Sequence, residues 1–401
     1  MSGVYLTPDT YLSSPPQADN PSVGDFDDDL DQLASELNLV APLRTADAAG
    51  SPRSIESWLR RLRELQGSDL LLVTGAPPVV RVSGRLLPTS ELVLGTDDIE
   101  AAVMPLVSAR LQDAYHRGAA VDLAFTVRGL GRFRMNFHRE RGRAAAAIRA
   151  LPLRIPRLAD LQFTHDISML STLPRGLVLI GGPTGSGKTT TAASLIAEIN
   201  ARDARHIVTV EDPIEYDHAH QRSIVEQIEI GIDAPDFPTA LRSALRQAPD
   251  VIVVGEMRDP ETMRMALAAA ETGHLVIATV HATDSGSAIS RIADGFPAER
   301  QNAVRQELAM ALSAVLTQML IPTLSGALVP AAELLMVSYG ARQHIRKNAL
   351  QHLHQEIAIT RKAGSFTFEE SLAKLVEIGS IDRNEARLRA PHPEEFDSIT
   401  A

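Results

Sequence analysis

Hydrophobic and polar positions divide the chain into regions with different periodicities. Residues 1–52 are rich in Pro, Asp, Ser, Gly and Ala. That composition cannot bury a core and predicts an acidic, disordered extension. Within it, Leu30, Leu33 and Leu37 share one helical face behind the acidic lead Asp27–Asp29. This island, Asp25 to Val40, is expected to be a transient helix, with a docking helix for a partner as the alternative.

From Ser54 the pattern becomes that of a folded domain. Ile55, Trp58, Leu59, Leu62 and Leu65 recur at helical spacing, with Ser54 placed to cap the helix and Gly67 to end it. Apolar runs predict strands over Leu70–Val73, Val79–Val82, Val121–Val127, Arg132–Phe137 and Ala145–Leu151. A second helix is expected from Asp97 to Tyr115. Residues 53–151 therefore predict a small α+β domain, and the Pro-punctuated stretch 152–172 predicts a linker.

Beyond Leu173 strands and helices alternate. Strands are expected at Leu177–Ile180, His206–Val210, Val251–Val254 and Leu275–Val280. Helices are expected at Lys188–Asn200, Phe237–Gln247, Pro260–Thr272 and Asp284–Asp294. Such alternation predicts an α/β fold, a mainly parallel sheet with helices on both faces. After Ala298 the pattern reads as mostly helical, with one strand over Ala327–Met336. The second domain is thus bounded at 173–390, and a polar tail is expected over 391–401.

Composition narrows the function classes. The chain of 401 residues has no cysteine and a formal net charge of −11. A disulfide framework and a cysteine zinc site are excluded. The negative balance argues against nucleic acid as a partner, because such binding rests on Lys and Arg releasing counterions. No apolar run reaches the length of a membrane span, and no basic-then-apolar signal opens the chain, so a cytoplasmic location is expected.

The chemistry centres on Gly181–Thr190, GGPTGSGKTT, between an apolar strand-like run and a helical one. Strand, glycine-rich turn and helix are the context of a phosphate-binding loop for ATP. Gly182, Pro183, Thr184, Gly185, Ser186 and Gly187 would wrap a β-phosphate with backbone N–H groups. Lys188 would reach the β- and γ-phosphates, Thr189 would hold Mg²⁺, and Thr190 completes the loop.

In open α/β sheets ligands bind beyond the carboxyl ends of the strands. Glu211, Asp212 and Glu215 follow the second of these strands, Glu256 the third and His281 the fourth. Glu256, ending the run VIVVGE, is placed to hold the Mg²⁺ shell or polarise the attacking water. Glu211, Asp212 and Glu215 remain alternatives for aligning or deprotonating that water. His281 lies at the rim, within reach of a γ-phosphate. His274, seven residues away and about 23 Å along an extended strand, is assigned a structural or subunit-contact role. In the first domain Arg132 and Arg134 alternate on one strand face, and Arg139, Arg141, Arg143 and Arg149 follow. Either a solvated face or phosphate contact fits them.

These motifs, in this order, resemble the secretion-ATPase superfamily, and within it the type IV pilus retraction (twitching motility) ATPases, over about residues 54–390. GPTGSGKTT is similar to the family's Walker A, Val210–Tyr216 to its aspartate box, Ala244–Asp259 to its Walker B region, and Glu271–His281 to its histidine box. The resemblance implies a RecA-like P-loop ATPase domain, a PAS-like N-terminal domain and a helical C-terminal part. It implies a homohexamer, with Glu215 and Glu256 handling water and metal and with Arg134 and Arg149 supplied to nucleotide in the ring. It further implies an inner-membrane platform protein as partner, a paralogous motor ATPase as another, and a peripheral position at the inner membrane. Two stretches depart from the family pattern. SDLHL reads Ser68–Leu72 as SDLLL, and AIRNLIRE reads Gly340–Lys347 as GARQHIRK, keeping Arg342, Ile345 and Arg346. Pilus retraction is the expected function. A pilus-assembly or type IV secretion ATPase, or an accessory nucleotide-binding ring subunit, is the alternative.

Overall fold

A computed structural model describes residues 54–90 and 92–401; the expected extension and its Leu30–Leu37 island lie outside these. The first helix, α1 (Ile55–Glu64), starts where Ser54 accepts the backbone N–H of Ser57, and it buries Trp58, Leu59 and Leu62. These residues pack on a six-stranded antiparallel sheet. Its strands are β1 (Asp69–Val73), β2 (Val79–Val82), β3 (Arg85–Pro88), β4 (Val121–Val127), β5 (Gly131–Glu140) and β6 (Arg143–Ala150), in the order β3-β2-β1-β6-β5-β4. The single helix expected over Asp97–Tyr115 is instead two, α2 (Thr96–Val103) and α3 (Ala109–His116), separated by a 3₁₀ turn that contains Pro105. Proline cannot donate to the preceding turn, so the helix stops there.

The second sheet has seven strands, in the order β13-β12-β7-β11-β10-β8-β9. They are β7 (Gly176–Gly181), β8 (His206–Glu211), β9 (Ile224–Glu229), β10 (Val251–Val254), β11 (Leu275–Val280), β12 (Leu312–Pro322) and β13 (Leu328–Met336). All neighbours pair in parallel except β12 with β13. Strand β7 shows why this sheet reads as a continuous apolar run. Leu177 and Leu179 enter the core on one face, while Val178 and Ile180 enter the core on the other. Helices α4 (Lys188–Arg202), α5 (Phe237–Ala244), α6 (Pro260–Glu271), α7 (Ser285–Asp294) and α8 (Ala298–Ala311) connect or cover these strands. Asp236, Asp259 and Asp284 cap α5, α6 and α7 by accepting N–H groups of the first turn.

Three strands differ from the sequence reading. Strand β3 is short and exposed throughout. Strand β9 carries Glu226, Gln227 and Glu229 among its apolar residues, so it lacks a strand's usual composition. Strand β12 follows α8 without an intervening loop, and its apolar run is indistinguishable by periodicity from more buried helix.

Beyond β13 lie α9 (Tyr339–Arg346), α10 (Leu353–Ile359), α11 (Phe368–Glu377), α12 (Arg383–Arg389) and α13 (Pro393–Ile399). The polar tail expected over 391–401 is therefore largely helical. Phe396 of α13 is fully buried, with Ile321, Val329, Phe368 and Leu372, in a satellite core against the β12–β13 edge. One large apolar residue in a polar segment holds it down.

Candidate nucleotide site

The loop between β7 and α4 needs backbone that other residues resist. Gly182 has φ +154° and Gly187, the residue preceding α4, has φ +88°. A Cβ on Gly182 would run into Ser186 Oγ and the Gln318 carbonyl oxygen. Gly182 through Gly187 thus form a cradle that a side chain would fill. Gln318, on β12, braces it from below: its Nε2 donates to the Ser186 carbonyl at 2.7 Å and its Oε1 accepts from the Thr191 hydroxyl at 2.9 Å. Ser186 Oγ is buried without a hydrogen-bond partner among the described residues. A buried orphan beside backbone N–H groups at a helix start fits a phosphate ligand.

Lys188 opens α4, and its Nζ donates to the carbonyls of Gly182 and Pro183, each at 2.9 Å. Burial lowers its pKa, against the opposing charges of Glu256 and Glu215. Next along the helix, the Thr189 hydroxyl bonds the Glu215 carboxylate, and Thr190 Oγ1 lies 2.9 Å from the Tyr216 hydroxyl. Thr184 and Gly185 complete the turn at its exposed crest. The expected cradle and the acids thus meet around one lysine.

The three acids of the Glu211–Tyr216 stretch separate. Glu211 is held by the Thr209 hydroxyl at 2.6 Å and by Gln227 Nε2 at 3.1 Å. Burial raises its pKa. Asp212 lies near enough to Arg258 to stabilise its charge. Glu215 instead faces Thr189, Arg134, Arg149 and Lys188; burial raises its pKa, and those groups pull the other way.

Glu256 ends the β10 rim. Its carboxylate pairs with Arg258 Nη2 at 2.7 Å and with His281 Nε2 at 3.0 Å. Burial pulls its pKa up. The Arg258 hydrogen bond, with the charges of Arg258, His281 and Lys188, outweighs that and holds it below the ordinary glutamate value. His281 is thus tied to Glu256. His274 lies at the other end of β11, its Nδ1 2.9 Å from the Ala269 carbonyl at the end of α6.

Arginines of the first sheet converge on the same loop. Arg134 on β5 stands opposite Arg149 on β6, and Arg149 stands opposite Asp69 on β1. Arg149 Nε donates to Asp69 Oδ1 at 3.0 Å. Two like charges side by side cost stability unless acids answer them, and here Asp69 and Glu215 do. Arg132, two residues before Arg134, has a different task. Its Nε donates to the Ile214 carbonyl at 2.8 Å, and its other arm pairs with buried Glu229. Ile214 N–H in turn donates to Glu229 Oε2 at 3.2 Å. The first sheet therefore grips the loop one residue before Glu215. Sequence reasoning missed Arg132 in this role, and also Gln318, Gln227 and Arg258. Three sit on strands or faces whose partners are distant in sequence. Arg258 had a local signal, being two residues from Glu256.

A P-loop on β7–α4, an acid in the loop after β8 and a second acid at the end of the adjacent β10 form a RecA-like nucleotide site. Residues 147–380 match the family model described as type II/IV secretion system protein. The chain belongs to that family. It is an ATPase of the secretion superfamily. It is 39% identical over 330 residues to the type IV pilus retraction ATPase PilT of Pseudomonas aeruginosa, covering 82% of this chain and 96% of that protein. It is 37% identical over 336 residues to the type IV pilus ATPase PilU of the same organism, covering 84% and 88%. The crystal structure of the pilus retraction motor PilT with bound ADP superposes with a TM-score of 0.80, at 40% identity, over 86% of this chain and 99% of that one. Among the described residues no helix is long and apolar enough to cross a membrane.

Proposed function

We propose that this protein is a hexameric ATPase motor that hydrolyses ATP with Mg²⁺ to retract type IV pili from the cytoplasmic face of the inner membrane. The observation that carries the catalytic part is the opposite displacement of Glu215 and Glu256 around Lys188. Pairs of acids pushed apart in this way divide the labour of acid–base chemistry. Glu215, raised by burial, is the base that takes a proton from the attacking water. Glu256, kept ionised by Arg258, belongs to the metal side. The donor set fits Mg²⁺, which favours hard oxygen ligands: the Thr189 hydroxyl with Glu256 nearby. When bound, the ion would neutralise charge on the β- and γ-phosphates. Lys188 and the Gly182–Thr190 backbone would hold those phosphates, while Arg134 and Arg149 would stabilise charge developing on the γ-phosphate. Turnover that shifts the first sheet would pull the Ile214–Glu215 loop through Arg132, coupling chemistry to domain movement. A pilus platform protein in the inner membrane would receive that movement.

The test has two stages. Wild-type protein should release phosphate from ATP, and Lys188→Ala should abolish that release. Equal release by both would remove this site from consideration. Cells lacking the protein should then carry excess surface pili and lose twitching motility. Absent pili would assign the motor to assembly. Unchanged pili and motility would assign it to an accessory ring, with a paralogous motor ATPase as partner, or to another secretion machine. The altered Gly340–Lys347 stretch favours the accessory reading as the second choice. Its Arg342 is engaged internally, donating to the Met310 carbonyl at 2.9 Å and to that of Ala309.

A further inference from the structure

The C-terminal helices bring together a group of side chains that the nucleotide chemistry does not use. His354 of α10, Glu369 of α11, His392 before α13 and Glu395 of α13 each offer one ligand atom, and these atoms lie within 4.8 Å of one another. We propose that they form a structural zinc site that fastens α13 to the body of the ATPase domain.

The donor chemistry selects the ion. Two imidazoles and two carboxylates, all from the protein, make a closed N₂O₂ set of the kind zinc accepts in a tetrahedral arrangement. Donors at about 2.0–2.2 Å from zinc lie roughly 3.4 Å from each other. Two pairs are already close: His354 Nε2 is 2.6 Å from Glu395 Oε2, and His392 Nδ1 is 3.2 Å from Glu369 Oε1. The two imidazole rings face each other with centroids 4.2 Å apart. The widest separation in the set, within 4.8 Å, has to contract by about an ångström to reach that spacing.

Burial supplies the second argument. Glu369 is 1% exposed, and the ion-pair partner of each acid is a histidine rather than a lysine or arginine. A carboxylate held out of water calls for a firm cation. Glu369 is fixed for the purpose: its Oε1 also accepts the His392 backbone N–H at 2.8 Å, which sets the position of the chain where α13 begins. Glu395 is oriented by the Thr367 hydroxyl at 3.3 Å. Hydrogen bonds of this kind, made to the ligand rather than to the ion, orient metal ligands. The ordinary alternative is a pair of His–Glu hydrogen bonds with no metal, and the experiment separates the two.

Full-length, tag-free protein is incubated with zinc chloride, passed through gel filtration and assayed for bound metal. We expect about one zinc per chain, a rise in melting temperature on loading and reversal by a chelator. His392→Ala should lose the bound zinc and the thermal shift. His116→Ala, altering an exposed histidine of the first domain, should keep both. Cobalt chloride with the wild-type protein provides a readout that does not depend on any variant folding: the site should give the intense visible bands of a four-coordinate ion. Substoichiometric zinc in the wild type, zinc retained by a folded His392→Ala, or only the weak spectrum of six-coordinate cobalt would overturn the proposal.

Discussion

Glu215 and Glu256 are both glutamates near Lys188, and their environments give them opposite tendencies. Glu215→Gln removes the proposed base but keeps the shape and the Thr189 contact. It should lower turnover about 10²–10⁴-fold, the usual weight of general base catalysis, while fluorescent-nucleotide binding remains. The pH profile follows from the sign of the shift. A pKa raised in the folded protein keeps Glu215 protonated to a higher pH than a free glutamate, so turnover falls as pH drops through that raised value. The acid limb of kcat/KM should lie above the ordinary glutamate range in the wild type. It should vanish in Glu215→Gln. The same raised pKa means that the fold favours the protonated form: stability from this group is present below the unfolded pKa and lost as pH rises through the folded one. The neutral glutamine should therefore melt no lower than wild type at neutral pH. A lower melting temperature with lost binding would mean that Glu215 is structural. Sequence could not rank Glu211, Asp212 and Glu215, because all lie within one short acidic stretch. The distinction comes from Thr209, Gln227 and Thr189, which reach them from a strand, its neighbour and a helix.

At the scale of elements, β5 acts as the handle between the two sheets. Arg132 hydrogen-bonds it to the loop of Glu215, through the Ile214 carbonyl and Glu229. Arg132→Ala leaves Glu229 buried and unpaired, at a cost of about 3 kcal/mol, the lower end for a broken buried pair because Arg132 is itself partly exposed. Arg132→Ala/Glu229→Gln should recover part of that loss, since the glutamine carries no charge to bury. A double-mutant cycle on the urea midpoint measures this, with turnover recorded alongside. Additive effects of the two substitutions would show that the pair is not coupled. The alternation that predicts the central strands and helices was legible because each is a long apolar run closed by glycine, proline or an aspartate cap. The edges were not. Strand β9 is polar because its side chains serve the site, Gln227 holding Glu211 and Glu229 holding Arg132. Strand β12 has no punctuation at its start, and its one informative polar residue, Gln318, has meaning only beneath the P-loop.

In the whole molecule, the order of the P-loop and the rim residues along the chain sets the ATPase fold, and the question left for the assembly is which chain supplies the arginines. Within one chain, Arg134 and Arg149 already bear on that chain's own Glu215. The proposed ring would then place each pair at its own nucleotide, with neighbours closing the site rather than supplying these two groups. Mixed rings decide the matter. Lys188→Ala subunits keep the arginines but cannot hold ATP phosphates. Arg134→Ala/Arg149→Ala subunits hold ATP but lack the charges, which in phosphoryl transfer are worth about 10³–10⁵ in turnover. If the arginines act within the chain, no pairing of the two subunit types completes a site, and mixtures should release phosphate no faster than the sum of the separate variants. If a neighbour supplies them, a Lys188→Ala subunit on the correct side of an arginine-deficient one restores the set, and turnover should rise to about a quarter of wild type at equal random mixing, far above either variant alone. The measurement is phosphate release across mixing ratios, with mass measurement confirming that mixed six-chain rings form. The single-chain geometry predicts the flat result, and a peak at intermediate ratios would move Arg134 and Arg149 to the adjacent subunit's nucleotide.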